Sequence, residues 1–138
     1  MKTETAFAEL SHARRLHVGA IIVKDDRIIS IGYNGMPAGW DNNCEYEVYE
    51  EVGDDTETVL KTKPEVLHAE TNAIAKLAKS TESGLNATMF ITHSPCLDCA
   101  KLIYQSGINA VYYRDAYRNE DGVSFLKQSG VAVEKINE

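Results

Sequence analysis

From Asn86 to Ile136 the chain changes character at short, regular intervals, and that alternation limits its folding more than any other feature. "NATMFITH" reads as a strand, "SPCLDCAKLIYQSG" as a helix, "INAVYYRDAY" as a strand, "DGVSFLKQSG" as a helix and "VAVEKI" as a last strand. Strands that alternate with helices bury their apolar faces by forming a sheet covered by helices, so the chain is read as α/β. Punctuation agrees: Ser94 is placed to cap the first of these helices with Pro95 at its first position, and Gly107 to end it. Asp121 and Gly130 are read as cap and stop of the second.

Upstream, "VGAIIVK" and "RIISIGY" are two β-branched runs separated by Asp25 and Asp26, the pattern of a hairpin. Before them, Ala6, Phe7, Leu10, Ala13 and Leu16 share one face of a helix that would end in the basic cluster Arg14, Arg15 and His17. "LHAETNAIAKLAKS", from Leu67 to Ser80, is a further amphipathic helix. The "GYNGMPAGW" stretch reads as a tight irregular loop, because Gly and Asn tolerate positive φ and Pro fixes its own; a ligand-facing loop and a plain strand-ending turn both fit. Between about residues 44 and 63 periodicity is lost and Glu45, Glu47, Glu50, Glu51, Asp54, Asp55 and Glu57 gather, as in a solvated surface excursion.

A length of 138 residues suits one domain over positions 1–138, with a single core. Fourteen basic against 21 acidic side chains leave a net charge of −7, which repels a phosphate polymer. Long nucleic acid is therefore not the expected partner. The first residues lack the apolar core of a signal peptide, and no stretch approaches the roughly 20 apolar residues of a membrane span. A soluble cytoplasmic protein is expected. Cys44, Cys96 and Cys99 are too few and too odd in number for a disulfide framework, so reduced thiols and a bound metal are expected instead.

The metal reading starts from "SPCLDC". Cys96 and Cys99 lie three apart at a helix start, so both sulfurs leave one face of its first turn, where helix amides favour thiolate. Alone, C-x-x-C fits a redox pair or half of a structural zinc site equally well, and its partners decide. His12, His17, His68, His93 and Cys44 are the other candidate ligands. His68 stands out because it too opens a helix after an extended segment, so two helices side by side could aim their N-termini at one ion. Three protein ligands leave zinc a fourth position for water, the arrangement of a catalytic site. Glu70, two residues beyond His68, would then manage the proton of that water and pass it to a substrate nitrogen and leaving group.

"HAETNAI" followed by "SPCLDCAKLI" resembles the zinc-dependent cytidine and deoxycytidylate deaminase superfamily, whose H-x-E and P-C-x-x-C signature is a known one. "VGAIIV" and "GYNGMPAGW" strengthen the likeness toward the deoxycytidylate (dCMP) deaminases, and it extends over about Val18 to Val133. The resemblance implies a three-layer α/β/α cytidine-deaminase-like fold with a mixed central sheet of about five strands. It implies zinc on His68, Cys96 and Cys99, Glu70 as the catalytic proton shuttle, and hydrolysis of dCMP to dUMP and ammonia in supply of thymidylate synthesis. It also implies substrate contacts from Asn34, Asn72 and Tyr117, a homo-oligomer such as a hexamer built of dimers, and dCTP or dTTP as effectors bound near the acidic segment. Small stand-alone chains of this kind resemble those of phages.

Family members with a second, structural zinc use an extra cysteine near the first strand and a long insertion. Here only Cys44 is present, no cysteine stands near Arg14 and the insertion is short, so one zinc per chain is expected. Arg14, Arg15 and His17 are read as a basic helix end, with a phosphate site as the alternative; Arg114, Arg118 and Lys101 are the other candidate cations. Tyr112, Tyr113 and Tyr117 are read first as core or interface aromatics. Two rival functions stay open: another zinc deaminase, acting on cytidine, dCTP, tRNA adenosine or a riboflavin precursor, and a non-catalytic zinc-stabilised interaction module using Cys44 or His93 as a fourth ligand.

Overall fold

The computed structural model describes residues 2–136. Among these, the order is helix α1 (Lys2–Ala8), strands β1 (Gly19–Lys24), β2 (Arg27–Tyr33), β3 (Glu45–Val52) and β4 (Asp55–Thr62), and helix α2 (Ala69–Ala78). Strand β5 (Thr88–His93), α3 (Leu97–Gln105), β6 (Ala110–Asp115), α4 (Asp121–Gln128) and β7 (Ala132–Lys135) follow. A five-stranded sheet has the order β2-β1-β5-β6-β7. Its β1 runs antiparallel to β2 and β5, whereas β5, β6 and β7 are parallel, which makes the sheet mixed.

Local chemistry explains the joints. Asp25 and Asp26 both adopt positive φ, 52° and 61°, the conformation of a two-residue turn whose twist matches its flanking strands. The three-layer arrangement follows from two glycines on opposite faces of the sheet. A Cβ at Gly19 would strike Glu4 O and Ala8 N of α1, and one at Gly32 would strike Ala69 O and lie 2.7 Å from Ala73 N of α2. Gly32 pairs with Ala20, whose side chain points opposite to that of Gly19, so α1 and α2 cover opposite faces. The apolar core lies on the α2 side: Ala20, Ile22, Met89, Ile91 and Val111 of the sheet meet Ala69, Ala73, Leu77, Ala100, Ile103 and Leu126 of α2, α3 and α4. No helix of the described residues is long and apolar enough to cross a membrane.

Four local expectations change. The first helix stops at Ala8 rather than near Leu16, so Arg14 and Arg15 are not a helix end. Ser11 Oγ accepts from Ala13 N at 3.1 Å, and both Glu45 carboxylate oxygens accept from Arg14 N, at 2.7 and 3.0 Å. Those bonds supersede the helical ladder. Beyond the buried Cys44 and Glu45 the acidic segment is exposed as expected, yet it forms a regular antiparallel hairpin, β3–β4. The α3 cap is Cys96, whose sulfur accepts from Cys99 N at 3.4 Å, so Pro95 precedes the cap instead of taking the first helical position, while Ser94 Oγ accepts from Tyr117 N at 2.7 Å. Glu120, not Asp121, occupies the α4 cap. Gly107 and Gly130, with φ of 87° and 82°, do end α3 and α4.

Candidate active site

The site forms where α2 and α3 begin. His68 holds the extended N-cap position of α2 and Cys96, directly after Pro95, that of α3. His68 is also fixed from behind: Leu67 and Gly35 exchange both backbone hydrogen bonds, N to O at 3.0 and 2.7 Å. The irregular "GYNG" loop thereby sets the entry of α2. Its other polar groups do similar work. Asn72 Nδ2 donates to Tyr33 O at 2.8 Å. Asn34 Nδ2 donates to Leu16 O at 2.8 Å and its Oδ1 accepts from Val18 N at 2.9 Å.

His68, Cys96 and Cys99 offer one nitrogen and two sulfurs that all lie within 4.8 Å of one another. His68 Nδ1 is 3.2 Å from Cys99 Sγ and 3.6 Å from Cys96 Sγ. A tetrahedral zinc with ordinary bond lengths separates sulfur from nitrogen by about 3.6 Å, so the donors fit the ion in both type and spacing. Neither Cys44 nor His93 belongs to this group among the described residues, which leaves a three-ligand site. The hydrogen bond from Cys99, then the one with His68, pulls the Cys96 thiol down to about 4; Cys99 is pushed up, first by sharing that proton with Cys96 and then by burial. The start of α3 therefore favours thiolate at Cys96. The bond to Cys96 raises the His68 pKa against the effect of burial.

Glu70 is 4% exposed, and burial raises its carboxyl pKa. It opens on a cavity of about 850 Å³ together with His68 and Cys96. Arg15, Asn34, Thr62, His93, Tyr117 and Arg118 also line that cavity. Tyr117 stands edge-on to His93 with ring centroids 6.4 Å apart, and burial raises its phenol pKa. Burial also lowers the pKa of His93, whose Nδ1 is 3.0 Å from Thr92 Oγ1 and whose Nε2 is 3.7 Å from Asp115 Oδ2.

The expected residues therefore divide. His68, Glu70, Cys96, Asn34 and Tyr117 share the cavity, and Cys99 completes the donor group from beneath. Asn72 does not line it; its amide serves the carbonyl of Tyr33 instead. Of the candidate cations, Arg15 and Arg118 reach the cavity. Arg14 pairs with Glu45 and Glu47, Arg114 with Asp115, and Lys101 with Asp98. Thr62 at the cavity and the buried Glu45 beside it carry no sequence signal, because nothing in an acidic, aperiodic segment marks which residue turns inward.

The chain matches the profile of the cytidine and deoxycytidylate deaminase zinc-binding region over residues 1–115. It is 38% identical over 88% of its length to ComE operon protein 2 of Bacillus subtilis, spanning 61% of that protein. It is 37% identical over 84% of its length to the deoxycytidylate deaminase of enterobacteria phage T4, spanning 77% of it. In three dimensions it resembles the dCMP deaminase of cyanophage S-TIM5 in complex with dCMP and dUMP, with a TM-score of 0.85, 46% identity, and 98% and 92% of the two chains covered. Donor chemistry, a buried acid two residues past the histidine, and a match across most of the sequence agree, and the chain belongs to the cytidine and deoxycytidylate deaminase family.

Proposed function

We propose that this protein hydrolyses dCMP to dUMP and ammonia. One observation carries the reading: the buried Glu70 carboxyl opens on the same cavity as the metal donors and two arginines. Relatives that bear the name deoxycytidylate deaminase, and a related structure that holds dCMP and dUMP, give the substrate its identity.

His68, Cys96 and Cys99 would hold the zinc, which supplies Lewis acidity and makes water a competent nucleophile near neutrality. Glu70 takes a proton from the attacking water and delivers it to N3 of the ring, which makes C4 electrophilic. As the C4–O bond forms and the C4–N bond breaks, the second proton of the water passes through Glu70 to the amino group, which leaves as ammonia. Burial raises the Glu70 pKa, which makes its carboxylate a better proton acceptor than a solvated one and suits it to take the water's proton. Tyr117 offers its ring to the base, and Arg15 and Arg118 offer cations to the phosphate in a chain of net charge −7. Asn34 sits beside them with its amide committed to the 16–18 backbone, so its contact with the sugar would use the remaining N–H.

Ammonia release from dCMP, CMP, deoxycytidine and dCTP by zinc-loaded protein tests the reading. Turnover of dCMP above the other three supports it, and no turnover of any of them overturns it. The free thiols suit the reducing cytoplasm. The expected homo-oligomer and the dCTP or dTTP effectors belong to the same proposal; light scattering and turnover with added nucleotide test them.

A further inference from the structure

Arg15 reaches the cavity from residues 9–18, which lie between α1 and β1 and have no helix or strand of their own. What holds it comes from elsewhere in the chain. On one side Glu45, 1% exposed, accepts Arg14 N on both carboxylate oxygens, at 2.7 and 3.0 Å. The Arg14 guanidinium closes the same knot, donating from Nη2 to Asn43 Oδ1 at 3.0 Å and lying 3.8 Å by Nε from Glu45 Oε1. On the other side Asn34 ties down Leu16 O and Val18 N. Directly across the hairpin from Glu45 stands its register partner Thr62, whose Oγ1 accepts from Arg15 Nη1 at 3.2 Å. The first residue of β3 and the last of β4 thus grip two successive arginines, one by its backbone and the next by its side chain.

We infer that the acidic β3–β4 hairpin is a specificity element for phosphorylated substrate, in which Glu45 acts as a positioning residue that sets the Arg15 guanidinium for the phosphate. The inference rests on the cavity's being a nucleotide site. A buried carboxylate is a costly way to hold a loop, and a charge-assisted bond shared by both its oxygens from one backbone N–H fixes a residue more tightly than a neutral acceptor does. The phosphate gives that fixation a use, since misplacing a cation by about 1 Å costs much of its interaction with a bound anion. Arg15 keeps further guanidinium donors beyond the one spent on Thr62, so the threonine orients the group without exhausting it.

The test compares zinc-loaded wild type with Arg15→Ala, Glu45→Ala, Glu45→Gln and the Arg15→Ala/Glu45→Ala double variant, measuring dUMP and deoxyuridine binding by calorimetry and KM and kcat on dCMP. Arg15→Ala should weaken dUMP roughly thirtyfold. Glu45→Ala should weaken it about tenfold and raise KM with little change in kcat, leaving deoxyuridine affinity unchanged. Glu45→Gln, which keeps an oxygen for Arg14 N, should recover part of the loss. The double variant should bind dUMP no worse than Arg15→Ala, because a residue that acts through Arg15 has nothing left to act on. Additive losses, or an equal loss of dUMP and deoxyuridine, overturn the inference and leave Glu45 a structural anchor. If Glu45→Ala does not fold, Thr62→Val takes its place, with weakened dUMP expected and unchanged dUMP affinity overturning the inference. A wild type that prefers dUMP over deoxyuridine while all variants match it overturns the hairpin's role alone. A wild type that binds both equally overturns the phosphate reading of the site and the inference with it.

Discussion

A carboxyl group as enclosed as Glu70 needs a chemical use, because the charged form has little water to solvate it. Glu70→Gln keeps the shape and removes the proton traffic. Deamination of dCMP should fall by about 10² to 10⁴ while the zinc content measured by atomic absorption stays at wild type; lost zinc would instead make Glu70 part of the metal's support. His93 yields a separate prediction from its lowered pKa. Above its ordinary value of 6.5 the ring is neutral in folded and unfolded chains alike. As pH falls through that value the unfolded chain takes up a proton that the folded chain refuses until lower pH, so stability drops on acidification. Replacing His93 with Gln should flatten the fall in Tm between about pH 7 and pH 5.5, read by scanning calorimetry, and an unchanged slope would show that another group carries it. At this scale the sequence discloses chemistry better than contacts. His68, Cys96 and Cys99 are legible as one donor group because soft and basic donors at helix starts have few other uses. The asparagines are less so, because an amide serves a backbone carbonyl as readily as a ligand: Asn34 lines the cavity while holding Leu16 O, whereas Asn72 holds Tyr33 O and does not line it.

Between elements, glycines mark where backbones come closest. Gly122, in the first turn of α4, lies so near the start of α3 that a Cβ there would strike Pro95 O and approach Cys96 O to 2.7 Å. Gly122→Ala must push α4 away or displace the backbone that carries Cys96. It should cost about 1–3 kcal/mol in chemical denaturation and weaken zinc in a chelator competition; zinc affinity equal to wild type would mean that α4 yields and the ligand segment does not. The alternation from β5 to β7 is readable because each element buries a face and therefore carries its period. The β3–β4 hairpin buries little, so no period betrays it, though Gly53 with φ of 64° and Asp54 form the two-residue turn that joins its strands. For α1 the opposite error arises. Leu10 continues the helical spacing yet is 54% exposed, since bonds to Ser11 and Glu45 take the backbone elsewhere before that face is used.

Across the whole molecule, the donor group adds a second tie between two parts of the chain already joined by the β1–β5 ladder and the core. His68 enters from the antiparallel half of the sheet by way of the Gly35–Leu67 pairing, and the cysteines enter from the parallel half after β5. An ion bound by all three therefore staples the two halves, and an ion that binds the folded chain alone stabilises it by mass action. At free zinc about 100 times its Kd the gain is about 2.7 kcal/mol, which for a domain of this size corresponds to roughly 10 °C in Tm. Stripping zinc with a chelator should lower Tm by about that amount, and one equivalent of zinc per chain should restore it. Cys96→Ser should lose most of the zinc-dependent increment while keeping the Tm of the stripped wild type, because Cys96 is a partly exposed cap and not a core residue. A stripped protein as stable as the loaded one would mean that α2 and α3 are held in place by Ala69, Ala73, Ala100 and Ile103 alone, with the metal added to a site already built.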